Sequence, residues 1–267
     1  MNPNKIRPTA VAGMFYPEDP LELQTMVTGY LSQSQPLDTI HPGEIKAIIA
    51  PHAGYIYSGP VAASAYRYLE DLESQIANVV LIGPSHRVPL LGLATSSADY
   101  FNTPLGNIPV NRAITEELNS LPFVSELDQA HSMEHSLEVH LPFLQLTLGE
   151  FQLIPLVAGD ASPQQVDQLI NMALGHEKTL LVISSDLSHY HDYRTAQTLD
   201  SETCEAIETL SVEELDSMHA CGFIPVRGLL KYAKEHGLTA QTVDCRNSGD
   251  TAGPRNEVVG YGAYVFT

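Results

Sequence analysis

Short apolar runs punctuate the chain at regular intervals. Residues 45–50 (IKAIIA), 78–82 (NVVLI), 151–157 (FQLIPLV) and 179–183 (TLLVI) are almost continuously hydrophobic. Strands covered on both faces read this way, whereas half-exposed strands alternate. Residues 238–243 and 258–266 predict two further strands, the last (VVGYGAYVF) as an antiparallel edge. Amphipathic stretches lie between the runs. Asp19-Pro20 joins a capping acid to a proline at the first helical position, which starts a helix there. Residues 59–72, 162–174, 195–210 and 226–236 predict further helices. Strand–helix alternation argues a doubly wound α/β architecture. No repeat or Pro/Gly-rich linker divides the chain. The expectation is a single domain over residues 1–267, with a mixed, mostly parallel sheet flanked by helices.

In open α/β sheets ligands bind beyond the carboxyl ends of the strands. The residues that follow each apolar run therefore carry the functional information. After IKAIIA comes Pro51-His52-Ala53-Gly54, after NVVLI comes Gly83-Pro84-Ser85-His86, and after TLLVI comes Ser184-Ser185-Asp186-Leu187-Ser188-His189. Each of these strands delivers a histidine to one sheet edge. One such histidine is ordinarily a polar loop residue, but several at equivalent positions point to shared chemistry. Neutral imidazole is the commonest protein metal ligand. Two imidazoles with one anionic ligand leave coordination positions open for substrate. Asp186 and Cys245 are both candidates for that anion. Cys245 follows the strand-like run LTAQTVD and opens a loop, CRNSGDTAGP. Cys204 and Cys221 sit in helical or inter-helical sequence and read as small buried hydrophobes.

The segment AHSMEHSLEVHLP forms a second cluster. His131, His135 and Glu138 would share one helical face by i,i+4 and i,i+3 spacing. Metal-bound imidazoles hand their other N–H to a carboxylate or carbonyl. This makes His135, Glu138 and His140 candidates for hydrogen-bonding the metal ligands or touching substrate. The order is not HExxH, so no zinc-protease signature is present. A metal-free hydrolase built on Ser185 and His189 is a weaker reading, since no GxSxG elbow accompanies them.

Charge narrows the partners. Thirty-two acidic against thirteen basic residues give a formal net charge of −19 in 267 residues. Such a surface repels nucleic-acid phosphates and anionic membranes, so neither is an expected partner. Three cysteines without CxxC pairing suit a reducing compartment. The opening residues lack a signal-peptide core, and no run approaches transmembrane length, so a cytoplasmic protein is expected.

Taken in order, the segments RPTAVAGMFYP, IIAPHAGYIYSGPVAASAY, LIGPSH, EHSLEVHLPFLQ, VISSDLSHY and CRNSGDT closely resemble the Memo family. That family comprises the eukaryotic mediator of ErbB2-driven cell motility and protein B of the bacterial and archaeal AmmeMemoRadiSam system. The resemblance spans essentially the whole chain. It implies the fold of the class III extradiol dioxygenases, with His52, His86 and Cys245 as metal ligands. It further implies His189 as acid/base and Asp186 as a pocket acid. The cofactor it implies is a divalent or redox metal, iron first, with copper or zinc as alternatives. Where the dioxygenases use a glutamate ligand, Cys245 would supply a softer, oxidisable thiolate. That departure disfavours ring cleavage. The expected function is a non-haem metal-dependent redox enzyme. The alternative is an adaptor that uses the same pocket for a peptide or small ligand. A radical SAM protein of the same system is a further expected partner.

Overall fold

The protein is described here by a computed structural model covering residues 4–267. Its strands are β1 (Ile6–Arg7), β2 (Ala47–Ala50), β3 (Asn78–Pro84), β4 (Leu93–Thr95), β5 (Tyr100–Thr103), β6 (Gly106–Pro109), β7 (Val124–Glu126), β8 (Gln152–Ala158), β9 (Thr179–Ser184), β10 (His189–His191), β11 (Ala240–Asn247) and β12 (Val258–Phe266). Its helices are α1 (Pro20–Gln33), α2 (Tyr55–Tyr66), α3 (Arg112–Leu118), α4 (Asp128–Ser132), α5 (Leu141–Leu148), α6 (Pro163–Leu174), α7 (Tyr193–Glu208), α8 (Phe223–His236) and α9 (Ser248–Thr251).

Nine strands form one mixed sheet in the order β10-β12-β2-β9-β3-β8-β4-β7, with β11 also paired to β12. The four central strands, β2, β9, β3 and β8, run parallel. Their continuous hydrophobicity follows from helices on both faces. Ile48, Val79, Leu81 and Val182 point into the core beneath α1, α2 and α5. Their alternates Ile49, Val80, Ile82 and Ile183 point into the core beneath α3, α6, α7 and α8. A small sheet, β1-β5-β6, stands apart. The model is thus a single α/β domain, as the alternation predicts. No helix among the described residues is long and apolar enough to cross a membrane.

Local signals set the boundaries. The Asp19 carboxylate accepts from the Leu21 and Glu22 N–H groups and caps α1. Ser162 and Gln165 close a capping box on α6. Three expectations need correction. β12 is not an edge, because β2 pairs with it on one side and β10 and β11 on the other, so its backbone groups are satisfied on both sides. The helix expected over 59–72 begins one turn earlier at Tyr55 and tightens to a 3-10 helix over Arg67–Leu72. Residues 131–140 are not one helix. α4 ends at Ser132, and a short 3-10 turn, Glu138–His140, leads into Pro142 of α5.

Candidate metal centre

The parallel register aligns the carboxyl ends of three adjacent strands. Ala50 of β2 lies opposite Ser184 of β9, and Ile183 lies opposite Ile82 of β3. His52, Asp186 and His86 leave the sheet just beyond these positions. A third imidazole arrives from the loop before Glu138. Gly83 permits this approach: a Cβ there would lie 2.8 Å from Ser136 Oγ and 2.9 Å from Leu137. The loop therefore rests directly on the β3 backbone and carries His135 to the strand ends.

Ligand atoms of His52, His86 and His135 all lie within 4.8 Å of one another. The His86 and His135 rings stack with centroids 4.6 Å apart, and His52 stands edge-on to both at 5.1 and 5.4 Å. Their hydrogen bonds fix which nitrogens face inward. The Ser184 hydroxyl donates to the Ser136 carbonyl at 2.6 Å, so its oxygen accepts from His52 Nδ1–H, also at 2.6 Å. His52 Nε2 thereby keeps its lone pair. His86 donates both its backbone N–H and Nδ1–H to the Glu134 carboxylate, at 2.6 and 2.9 Å. His86 Nε2 is left in the same state. His135 Nδ1 lies 3.2 Å from the Glu134 oxygen that accepts His86 Nδ1–H.

Electrostatics keep this set ready for a cation. Burial pushes the His52 imidazolium well below its ordinary pKa, and the neighbouring His86 and His135 add to the shift. The ring is therefore neutral at physiological pH. Burial alone would raise the Glu134 carboxyl, but hydrogen bonds from His135 and His86 hold it well below the usual carboxylate range. Imidazoles oriented by a buried carboxylate form a donor set that suits iron, copper or zinc. The residues present fit a metal ion.

Asp186 and His189 face the same space. Asp186 Oδ1 accepts the His52 backbone N–H at 2.7 Å, and Oδ2 lies 3.9 Å from His52 Nε2. Burial pushes the Asp186 carboxyl above its ordinary pKa. His189, on β10, lines a cavity of about 550 Å³ with the three imidazoles, Asp186 and the aromatic walls Phe15, Tyr57 and Tyr261.

The structure does not bring Cys245 to this site. β11 runs on through Cys245 to Asn247, where the apolar pattern suggested a loop, and Cys245 pairs with Gly262 of β12. Its side chain lines a separate cavity beside Cys204 of α7. The cysteine at the cluster is Cys221, whose Sγ lies 3.3 Å from His52 Nε2 and accepts the Asp186 N–H at 3.3 Å. Gly222 makes this possible, since a Cβ there would come within 2.5 Å of the Ser184 carbonyl oxygen. A cysteine–glycine pair just before an amphipathic helix was the available signal. Reading Cys221 as a buried hydrophobe missed it.

The second cluster also divides. His135 joins the imidazole triad rather than supporting it. Glu138 faces away and binds the Arg7 guanidinium, the Ala10 and Val11 N–H groups and the Tyr16 hydroxyl. The supporting carboxylate is Glu134. His140 is buried behind the site, with Nδ1 2.7 Å from the Tyr66 hydroxyl. Ser185 donates to the Asp186 carbonyl and accepts the Gly222 N–H, so its hydroxyl is tied into the backbone.

Comparison with known proteins agrees with this architecture. A structural neighbour, an uncharacterized protein JW3007 from Escherichia coli K12, has a TM-score of 0.52 and is 12% identical, covering 81% of this chain and 99% of its own. That likeness concerns the fold alone. A MEMO1 family protein of Aquifex aeolicus is 36% identical, covering 98% of this chain and 99% of its own length. One from Thermoplasma acidophilum is 35% identical, covering 97% and 98%. The family model described as Memo-like protein matches residues 7–265, and the chain belongs to the Memo family.

Proposed function

We propose that this protein is a metal-dependent redox enzyme whose ion is held by His52, His86 and His135. The observation that carries this reading is the inward-facing triad of imidazoles, with ligand atoms within 4.8 Å of one another. Iron is the proposed ion, since a face of imidazole ligands with open positions beside a carboxyl suits a redox-active non-haem iron. When bound, it would supply Lewis acidity and electron transfer to a substrate in the adjoining cavity.

The chain's own residues do the remaining work. Ser184 and Glu134 fix the His52 and His86 tautomers. Asp186 Oδ2, 3.9 Å from His52 Nε2, holds or releases a proton beside the triad. His189 offers a second proton-transfer group on the cavity wall. Phe15, Tyr57 and Tyr261 exclude water from one side.

The test is metal content after purification without oxygen. A stoichiometric ion is expected, lost in His52→Ala and His86→Ala. Oxygen uptake with a reductant should follow iron content and vanish when zinc replaces iron. His52→Ala at full metal content would refute the centre. Equal oxygen uptake by the iron and zinc forms would refute the redox role.

A further inference from the structure

The second cavity holds the two cysteines that lie away from the metal centre. It measures about 390 Å³ and lies between α7 and β11, with Cys204, Cys245 and Thr242 among its walls. Register explains why the thiols meet. Cys245 lies directly opposite Gly262 on β12, so the two residues face the same side of the sheet. The space a side chain would fill at Gly262 is taken by the Tyr264 hydroxyl. That hydroxyl lies 3.2 Å from Cys204 Sγ, which descends from α7 onto the same face. Cys204 and Cys245 thus line the same cavity from its two sides. Cys245 is exposed at the mouth, and Cys204 is half-buried behind it.

We infer that Cys204 and Cys245 are a reversible oxidation site, a dithiol that closes to a disulfide on reaction with a neutral peroxide. Cavity charge selects the oxidant. Asp200, Glu205, Glu208 and Asp250 line the walls against the single cation Arg246. Anionic oxidants are repelled there, and uncharged hydrogen peroxide is not. The two sulphurs also differ in character. The neighbouring Cys245 is the largest influence holding the Cys204 thiol below its ordinary pKa, with Tyr264 assisting. The neighbouring Cys204 in turn pushes the Cys245 thiol up. Cys204 is thus the nucleophile and Cys245 the resolving thiol.

The steps balance. The Cys204 thiolate attacks one peroxide oxygen and breaks the O–O bond, which gives a sulfenic acid and hydroxide. Hydroxide takes the proton released when Cys204 ionised and leaves as water. The Cys245 sulphur then attacks the sulfenic sulphur, the S–O bond breaks, and a second water leaves with the Cys245 proton. Two thiols lose two electrons in total, and one peroxide is reduced to two waters.

The test treats the full chain with hydrogen peroxide and maps its thiols by peptide mass spectrometry. The expected product is a Cys204–Cys245 linked peptide, two mass units lighter than the reduced pair and reversed by a thiol reductant. In Cys245→Ser, Cys204 should accumulate as a sulfenic acid trapped by dimedone. In Cys204→Ser, no disulfide should form and Cys245 should react more slowly. Cys204 remaining a free thiol while Cys245 advances to sulfinic acid would overturn the inference. So would dimedone trapping at Cys245 but not Cys204 in the single variants.

Discussion

Glu134 and Glu138 offer a matched pair of perturbations, because both are buried carboxylates four residues apart. Glu134 accepts four N–H bonds, from the His86 backbone and Nδ1, the His135 backbone and the Ser136 backbone. Glu138 accepts three N–H bonds, from Arg7, Ala10 and Val11, and the Tyr16 hydroxyl. In Glu134→Gln the amide oxygen would keep the three donors at Oε1. Its NH2 would then face the His86 N–H, leaving a buried donor without a partner at about 1–3 kcal/mol. The three surviving bonds lose charge assistance, at about 1 kcal/mol each. The total is roughly 4–6 kcal/mol of stability. Glu138→Gln breaks a buried ion pair and should cost about 3–5 kcal/mol as well. Metal affinity should separate them. Glu134→Gln removes the negative charge that holds the His86 ring and its backbone N–H, and should weaken binding by roughly 10–100-fold. Glu138→Gln should leave binding near wild type. Chelator competition measures affinity, and urea denaturation measures stability. Equal metal loss in both variants would mean that binding only tracks stability. Undiminished affinity in Glu134→Gln would refute the orienting role of the carboxylate.

Other expectations concern pH. Burial pushes the Asp200 carboxyl up to about 6, so the folded state binds a proton there before the unfolded state does. Its contribution therefore falls as pH rises from about 4 to 6, and Asp200→Asn should stabilise the protein by about 2–3 kcal/mol at pH 8. That gain should fade near pH 4 in urea titrations; an equal effect at both pH values would contradict the assignment. His131 is the opposite case, with burial lowering its pKa to about 4. Its stabilisation is complete above about pH 6.5 and declines as pH falls towards 4, by roughly 2 kcal/mol at pH 5. His131→Gln should remove that part of the acid sensitivity, and an unchanged slope of stability between pH 7 and 5 would count against it.

Much of this protein was legible in its sequence. Doubly covered strands announce themselves by unbroken hydrophobicity, so β2, β3, β8 and β9 could be located, and with them the turns that present His52, His86 and Asp186. That information is local, since strand period and strand end lie within a few residues of each other. The remaining members of the site were not local. Cys221 reaches His52 only because β9 lies beside β2 and Gly222 lets the chain before α8 settle on the end of β9. His135 arrives because Gly83 lets a loop rest on β3. Cys245 looked like a strand-end residue, but pairing with β12 carries β11 past it and turns its thiol towards α7. Long-range packing decides which side chains share a pocket, and backbone clearance at two glycines decides how closely they meet. Chain periodicity carries neither quantity. The sequence by itself therefore determined the sheet edge where the chemistry gathers, and the tertiary structure decided which cysteine and which third histidine stand there.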